Sequence, residues 1–557
     1  MSIAFLGIIL AAPLAQTAYE LSNARSKAAS GNWPGALSIA SALPAATDVF
    51  QRTQGNVWQR VLAANRQLLK NIDEYESRLQ DESLLSHALL APTQQALTRF
   101  GGLGNEKAYL GRDGWLFYRP SIDYLTGAGF LDPLTLTRRA KSGKTYAAPP
   151  QPDPRLAIVD FARQLRERGI SLIVVPAPGK AAIHPEQMSS RYLDSEERLQ
   201  NASFEDWKQA VEQEGVLVFD TAGLLVEHKR SQGKPQFLKT DTHWTPAAVQ
   251  VVAERLGAFI AERELLPLRA AVDYQTRRQT VENMGDIAMM LRLPEEQTLF
   301  APETAEIRQV LDASGQLWRA DEVADVLLLG DSFTNIYSLE AMQWGAAAGL
   351  AEQLSLALKR PIDRIAQNDA GAYATRQTLA QELARGNARL RGKRLVIWEF
   401  AARELAVGDW KLIDMKDAPQ KSSPPSDSSP GPTSPSPAAP MAAKSAELVI
   451  RARVESAAGV PQPGSVPYRD AVTALHLSSL EAVAGAPPGE QIVVYLWGMR
   501  DNRWTDPARW KPGDAVTLKV KPWDEVRGKY GSFTRIELDD PDFTLIELPL
   551  FWGEINQ

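Results

Sequence analysis

Between about residue 155 and residue 400 the sequence alternates in a way that limits the folds open to it. Helical patterning over 155–168 gives way to an apolar strand at 171–175. A helix over 204–214, a strand at 216–219 and a helix over 246–262 follow. After a less regular stretch come a strand at 325–329, a helix before and around 342–358, and a strand at 394–400. Short apolar runs separated by amphipathic helices predict a parallel sheet with helices on both faces, an α/β layout of the flavodoxin-like kind. Sheets of this type bind ligands outside the carboxyl ends of their strands.

Two stretches place reactive side chains at that edge. Leu327-Leu328-Leu329-Gly330-Asp331-Ser332-Phe333 is an apolar strand running into a tight turn that presents a serine hydroxyl. About ninety residues earlier, Lys239-Thr240-Asp241-Thr242-His243-Trp244-Thr245-Pro246 sets a carboxylate and an imidazole two residues apart. In extended backbone both point to one face, and Thr245-Pro246 reads as the N-cap and first residue of a helix. Ser332, His243 and Asp241 would then serve as nucleophile, base and orienting acid. Taken singly, a Gly-Asp-Ser is also an ordinary turn, and Asp-x-His is also half of a zinc site. The histidine count argues against metal: only His87, His184, His228, His243 and His476 exist, none with ligand spacing to His243, and there is no cysteine.

These motifs resemble the periplasmic alginate O-acetyltransferases of the AlgJ and AlgX type, which carry an SGNH-hydrolase-like domain. The resemblance rests on Gly111-Arg112-Asp113-Gly114-Trp115-Leu116-Phe117-Tyr118, then Asp-Thr-His-Trp, then Gly-Asp-Ser-Phe, then Val396-Ile397-Trp398-Glu399-Phe400, and spans about 108–410. Asp-x-His precedes the serine here, the reverse of ordinary SGNH esterases. The resemblance implies an SGNH-like fold, an acetyl-serine on Ser332 and a polysaccharide acceptor. It also implies an acetyl donor in the form of a membrane-bound O-acyltransferase, and other exopolysaccharide biosynthesis or secretion proteins as partners. No phosphate-cradling glycine loop is evident, so neither cofactor nor metal is expected.

An oxyanion hole is expected from backbone N–H groups at the Ser332 turn. SGNH enzymes add a glycine and an asparagine, for which Gly345 or Gly349 and Asn368 are the candidates. Tyr337, five residues past the serine on an expected helix, is a candidate for lining the acceptor groove or for ordinary packing. Arg403 resembles a family arginine or pairs with Glu399. Lys180, just past a strand end, could contact an anionic sugar or stand in solvent.

At 557 residues the chain should hold several units. Residues 1–18 open with an apolar run of signal-peptide length, read as an export signal or a membrane anchor, which places the protein in the periplasm, free or held at the inner membrane. Residues 19–100 form a helical region. There Val57, Trp58, Val61, Leu62, Leu68, Leu69, Ile72, Tyr75 and Leu79 recur at helical spacing and read as packing, and residues 33–46 suit a helical hairpin. Residues 101–416 are the SGNH-like domain, opened by an Asp-Gly hairpin signal. Residues 417–445 are a Pro/Ser-rich linker that cannot bury enough apolar surface to fold. Residues 446–557 predict a small β-barrel or sandwich, with strands at 447–454, 491–497, 515–520 and 543–548. Its Trp497, Trp504, Trp510 and Trp523 are candidates for stacking on sugar rings or for the core of the module. The net charge of −6 gives no broad basic surface for nucleic acid. The expected activity is O-acetyl transfer to an exported polysaccharide, with an SGNH-type carbohydrate esterase or a non-catalytic polysaccharide-binding scaffold as rivals.

Overall fold

The computed structural model describes residue 11 and residues 14–19, 42–81, 83–143, 148–193, 198–368, 371–417 and 448–555, apart from 465, 467, 486–488, 532, 539, 541–543 and 546–547. The expected leader is therefore mostly outside the described residues, as are the linker and most of the hairpin at 33–46. Among the described residues no helix is long and apolar enough to cross a membrane.

From residue 42 the chain leads in through helices α1 (Ala42–Arg52), α2 (Val57–Asp81) and α3 (Leu84–Gly101). Arg60 ties α2 to α1, donating to Phe50 O at 2.8 Å with its guanidinium over the Phe50 ring. The first turns of the α2 stripe do not pack as expected: Val57, Trp58, Val61 and Leu62 are exposed, Trp58 by 76%. A hairpin follows, β1 (Ala108–Leu110) with β2 (Leu116–Tyr118). Its turn places Asp113 at φ 52° and Gly114 at φ 77°, the left-handed pair that makes Asp-Gly a hairpin signal.

The alternating region then gives α4 (Pro154–Arg166), β3 (Ser171–Ala177), α5 (Phe204–Gln213), β4 (Leu217–Val218), α6 (Thr221–Gln232) and α7 (Pro246–Glu262). It continues with β5 (Gln275–Asn283), β6 (Glu303–Leu311), β7 (Val326–Gly330), α8 (Leu350–Leu358), β8 (Asp363–Ala366), α9 (Ala374–Ala384) and β9 (Leu395–Ala401). Five of these strands form one sheet in the order β4-β3-β9-β7-β8, every pair parallel. Counted from β7, the order is 2-1-3-4-5, the flavodoxin-like order, with the last two strands moved to the front of the chain. That is why the histidine block precedes the serine block. The order reverses between β7 and β9, so the switch-point crevice opens at the end of β7.

Alternation along the strands splits the core in two. Ile173, Val175, Leu328 and Ile397 meet Val252 and Leu256 of α7 and Leu354 of α8. Leu172, Val174, Leu327, Leu329 and Trp398 meet Phe161 of α4, Trp207 of α5 and Leu379 of α9. Each such fully buried side chain contributes about 1.5–3 kcal/mol.

Two expectations need correction. The helix around 342–358 begins only at Leu350, because Gln343, Gly345 and Ala347 all have left-handed φ values and bend 343–349 into a loop. The less regular stretch contains the antiparallel pair β5–β6. Gln275–Asn283 is polar and mostly exposed, so no apolar alternation announces it.

The carboxyl-terminal strands are β10 (Leu448–Ala457), β11 (Ala471–Ala484), β12 (Gln491–Arg500), β13 (Arg503–Trp504), β14 (Ala515–Pro522), β15 (Thr534–Ile536) and β16 (Leu550–Ile555). β10, β11, β12, β16 and β14 pair in a closed ring, a barrel filled by Ile450, Val454, Leu475, Ile492, Val494 and Leu518. The last strand is β16 rather than 543–548, where Thr544 and Leu545 turn on the Asp540 carboxylate. The barrel packs on the α/β region, with Tyr468, Ala471 and Met499 joining the core of its α7 face.

Candidate active site

Gly330-Asp331-Ser332 is built residue by residue for a close turn. A Cβ at Gly330 would stand 2.2 Å from Thr334 Oγ1, so only glycine lets the chain fold back so tightly. Asp331 caps the short helix Ser332–Asn335, its Oδ1 accepting from Phe333 N at 2.8 Å. Its Oδ2 accepts from Ala401 N at 2.8 Å, tying the turn to the end of β9. Beneath lies Glu399, whose Oε2 accepts from Asp331 N at 3.0 Å and from Thr334 Oγ1 at 2.8 Å. Burial, with the Asp331 charge beside it, pushes the Glu399 carboxyl well above the ordinary range.

The second block meets this turn from the amino end of α7. Thr245 caps α7 by accepting from Ala248 N at 3.3 Å, and Pro246 is its first residue. The Trp244 indole donates to Phe333 O at 3.0 Å, which anchors the two blocks to each other. His243 Nε2 lies 2.8 Å from Ser332 Oγ, and His243 Nδ1 lies 2.7 Å from Asp241 Oδ1. All three side chains are buried. Burial opposes charge on both partners, but their mutual attraction outweighs it: Asp241 is held below the usual carboxylate range, and His243, facing Asp241, Asp286 and Asp331, above the usual imidazole one.

Two further residues complete the shell around Asp241 that sequence reasoning missed. Its Oδ2 accepts from Trp344 Nε1 and from the backbone N of Asp286, both at 3.0 Å. Trp344 arrives on the 343–349 loop, which the expected helix had hidden. Asp286 arrives from the connection between β5 and β6, in a helix (Asp286–Met290) with no motif to mark it. Asp241, His243 and Asp286 bring their donor atoms within 4.8 Å of one another. The Asp241 oxygens and both His243 nitrogens are already engaged by these hydrogen bonds, so the trio forms a hydrogen-bonded set rather than an open cation cage.

Other candidates are placed differently from expectation. Lys180 is buried, its ammonium donating to Leu116 O at 2.7 Å and Lys239 O at 3.0 Å; burial lowers it to about 8. It braces the hairpin against the Asp241 segment and does not reach for a sugar. Tyr337 is fully buried and donates to Trp244 O at 2.7 Å, so it supports the histidine block instead of lining a groove. Asn368 accepts from Asn335 Nδ2 at 2.9 Å and donates to Thr534 Oγ1 of the barrel at 2.7 Å and to Met342 Sδ at 3.4 Å, so its amide is engaged by these partners. Gly345 lies against Ile307, and a Cβ on Gly349 would meet Ser338 and Thr334; both are packing positions. Arg403 follows β9 at the reactive edge, its guanidinium 5.1 Å over the Tyr118 ring.

The barrel tryptophans are packed. Trp523 is buried against Tyr495 and Trp552. Trp497 is half-buried among Tyr530, Phe533 and Trp552, with Arg500 4.1 Å over its ring. Trp504 donates to Pro461 O at 2.7 Å, and Trp510 packs on the barrel interior. These are core and support positions, not an open stacking platform.

Residues 108–402, just over half of the chain, match the family described as SGNH hydrolase-like domain, acetyltransferase AlgX. The chain is 27% identical over 313 residues to the "Probable alginate O-acetylase AlgJ" of Pseudomonas aeruginosa, covering 54% of this chain and 71% of that protein. It is 27% identical over 258 residues to the protein of the same name from Azotobacter vinelandii, covering 45% and 62%. Among solved structures, the O-acetyltransferase domain of Pseudomonas putida AlgJ aligns at 19% identity and TM-score 0.40, covering 57% of this chain and 95% of that one. Pseudomonas aeruginosa AlgX aligns at 14% identity and TM-score 0.39, covering 75% and 91%.

Proposed function

We propose, on the premise that this chain belongs to the AlgX-type SGNH hydrolase-like acetyltransferase family, that it acetylates hydroxyls of an exported, alginate-like polysaccharide through an acetyl-Ser332 intermediate. The observation that carries the reading is the continuous hydrogen-bonded line from Ser332 Oγ through His243 to Asp241, at 2.8 and 2.7 Å, at the switch point of the sheet.

Ser332 Oγ attacks the donor's acetyl carbonyl as His243 Nε2 takes the hydroxyl proton. Asp241 holds the imidazole in the tautomer that leaves Nε2 free and stabilises the imidazolium that forms. Collapse of the tetrahedral adduct breaks the bond to the donor's leaving group, which departs with the proton from His243. A sugar hydroxyl then loses its proton to His243 as its oxygen attacks the acetyl-serine carbonyl. The second collapse returns the proton to Ser332 Oγ and releases the acetylated sugar. Backbone N–H groups of the Ser332 turn would face the carbonyl oxygen in both adducts. The donor acetyl would be handed over by a membrane-bound O-acyltransferase, with the protein working in the periplasm among polysaccharide export components.

The test is mass spectrometry of the full chain incubated with p-nitrophenyl acetate and a panel of uronic-acid and neutral oligosaccharides, beside Ser332→Ala. Acetylated oligosaccharide that depends on Ser332 is the expected result. Acetate release without sugar product would convert the reading to an esterase, and turnover unaffected by Ser332→Ala would refute it.

A further inference from the structure

One carboxylate normally suffices to orient a catalytic imidazole, yet His243 faces two. Asp241 is drained by its donors. Its Oδ1 receives both the Nδ1 and the backbone N of His243, at 2.7 and 3.0 Å, and its Oδ2 receives Trp344 Nε1 and Asp286 N. Four N–H groups hold it ionised but spread its charge. Asp286 Oδ2 stands 3.8 Å from the same Nδ1, with its side chain 3% exposed. Its Oδ1 accepts from Thr242 N at 2.6 Å. The two carboxylates thus hold each other's segments: the N–H of residue 286 fixes Asp241, and the N–H of residue 242 fixes Asp286.

The backbone is shaped for this approach. A Cβ at Gly285 would lie 2.3–2.5 Å from the carbonyl carbon and oxygen of Thr240 and the nitrogen of Asp241. Glycine is what lets the β5–β6 connection run against the Asp241 backbone. We propose that Asp286 is a second carboxylate for the His243 imidazole, a positioning residue that fixes Asp241 through its backbone N–H and shares the positive charge taken up from Ser332. The inference rests on reading Ser332, His243 and Asp241 as the acyl-transfer set.

The charged and titratable neighbours are few. Asp331 faces His243 from the end of β7. Lys180 lies behind the Asp241 segment and feels Asp241, Glu303 and Asp286. Glu303 holds the N–H groups of Lys239 and Thr240, and Tyr337 lies under Trp244. Burial and the Asp241 charge raise Asp286 to about 6, so it is ionised at pH 7 and above. An ionised Asp286 favours the imidazolium, so removing it must lower the His243 pKa.

Two measurements on the full chain decide the matter, each with Asp286→Asn, which keeps an acceptor for Thr242 N–H, and Asp286→Ala, which keeps the N–H that fixes Asp241. The first is a pH titration of the imidazole nitrogens by NMR on 15N-histidine protein, with the His243 signal assigned by its loss in His243→Gln. Both variants should lower the His243 pKa by about one unit, a tenfold shift in its protonation equilibrium; an unchanged pKa overturns the proposal. The second is the rate of Ser332 modification by phenylmethylsulfonyl fluoride against pH, read by intact mass. Its inflection should move down by the same amount and its plateau fall about tenfold, and an unmoved profile counts against Asp286. A wild-type chain that is never sulfonylated on Ser332 would count against the acyl-transfer reading itself, and the imidazole titration then still judges Asp286.

Discussion

At the scale of single residues, His243 touches Ser332, while Asp241, Trp344 and Asp286 act only through the groups that do. Ser332→Ala should lower acetyl transfer by about 10³-fold or more, since the nucleophile is lost while the surrounding donors remain; steady-state rates with an activated acetyl ester check this. Trp344→Phe keeps the ring packing but removes the indole N–H from Asp241 Oδ2. A hydrogen bond to a charged group is worth about 1.5–3 kcal/mol, so kcat should fall roughly ten- to a hundredfold with KM little changed. Glu399 gives a prediction about stability. Its folded pKa is raised, so the folded state binds its proton more tightly than the unfolded chain does. Stability from this group is then present at low pH and is lost as pH rises above the ordinary carboxyl range. Glu399→Gln, neutral at every pH, should lose less stability than wild type between pH 5 and pH 8.5 in thermal unfolding. Equal losses in the two proteins would show that Glu399 is ionised in the fold.

At the scale of elements, the legible part of this protein is the part where local pattern and tertiary role coincide. β3, β7 and β9 are apolar on both faces because helices cover both, and α7 begins where Thr245-Pro246 says it should. The Gly-Asp-Ser and Asp-x-His blocks were readable because each lies at the end of such an element. What escaped lies on connections. Asp286 and Trp344 sit on segments whose conformation is imposed by contact with the Asp241 backbone. Nothing in Met284-Gly285-Asp286 or Gln343-Trp344-Gly345 foretells a partner forty-five or a hundred residues away. The same limit explains Lys180, expected at a sugar or in solvent, and Tyr337, expected at a groove or in packing: the fold gives both of them buried carbonyl partners. Gly285→Ala tests the element-level claim. The β5–β6 connection would have to lift off Thr240, so activity should drop about as far as in Asp286→Ala, whereas a variant with full activity would show that the connection does not position the acid.

At the scale of the whole molecule, the barrel is more than an appendage on a linker. Thr534 takes the Asn368 amide beside Ser332's own helix, Gln462 accepts from Arg292 at 2.7 Å, and Tyr468, Ala471 and Met499 join the hydrophobic core of the α7 face. Of the barrel's tryptophans, Trp523 is buried, and Trp497, Trp504 and Trp510 are half-buried against barrel neighbours. A chain ending at residue 416 gives up these contacts and should melt at lower temperature than the full chain in thermal unfolding. An unchanged melting temperature would show that the barrel does not brace the α/β domain. The central claim is the acetyl-serine, and it is tested most directly by rapid quenching of the full chain with p-nitrophenyl acetate in the absence of sugar, followed by peptide mass mapping. The account predicts one acetyl group on the peptide containing Ser332, absent in Ser332→Ala and discharged when oligosaccharide is added. An acetyl group that settles elsewhere, or transfer that proceeds with no modified Ser332 peptide at any quench time, would contradict it.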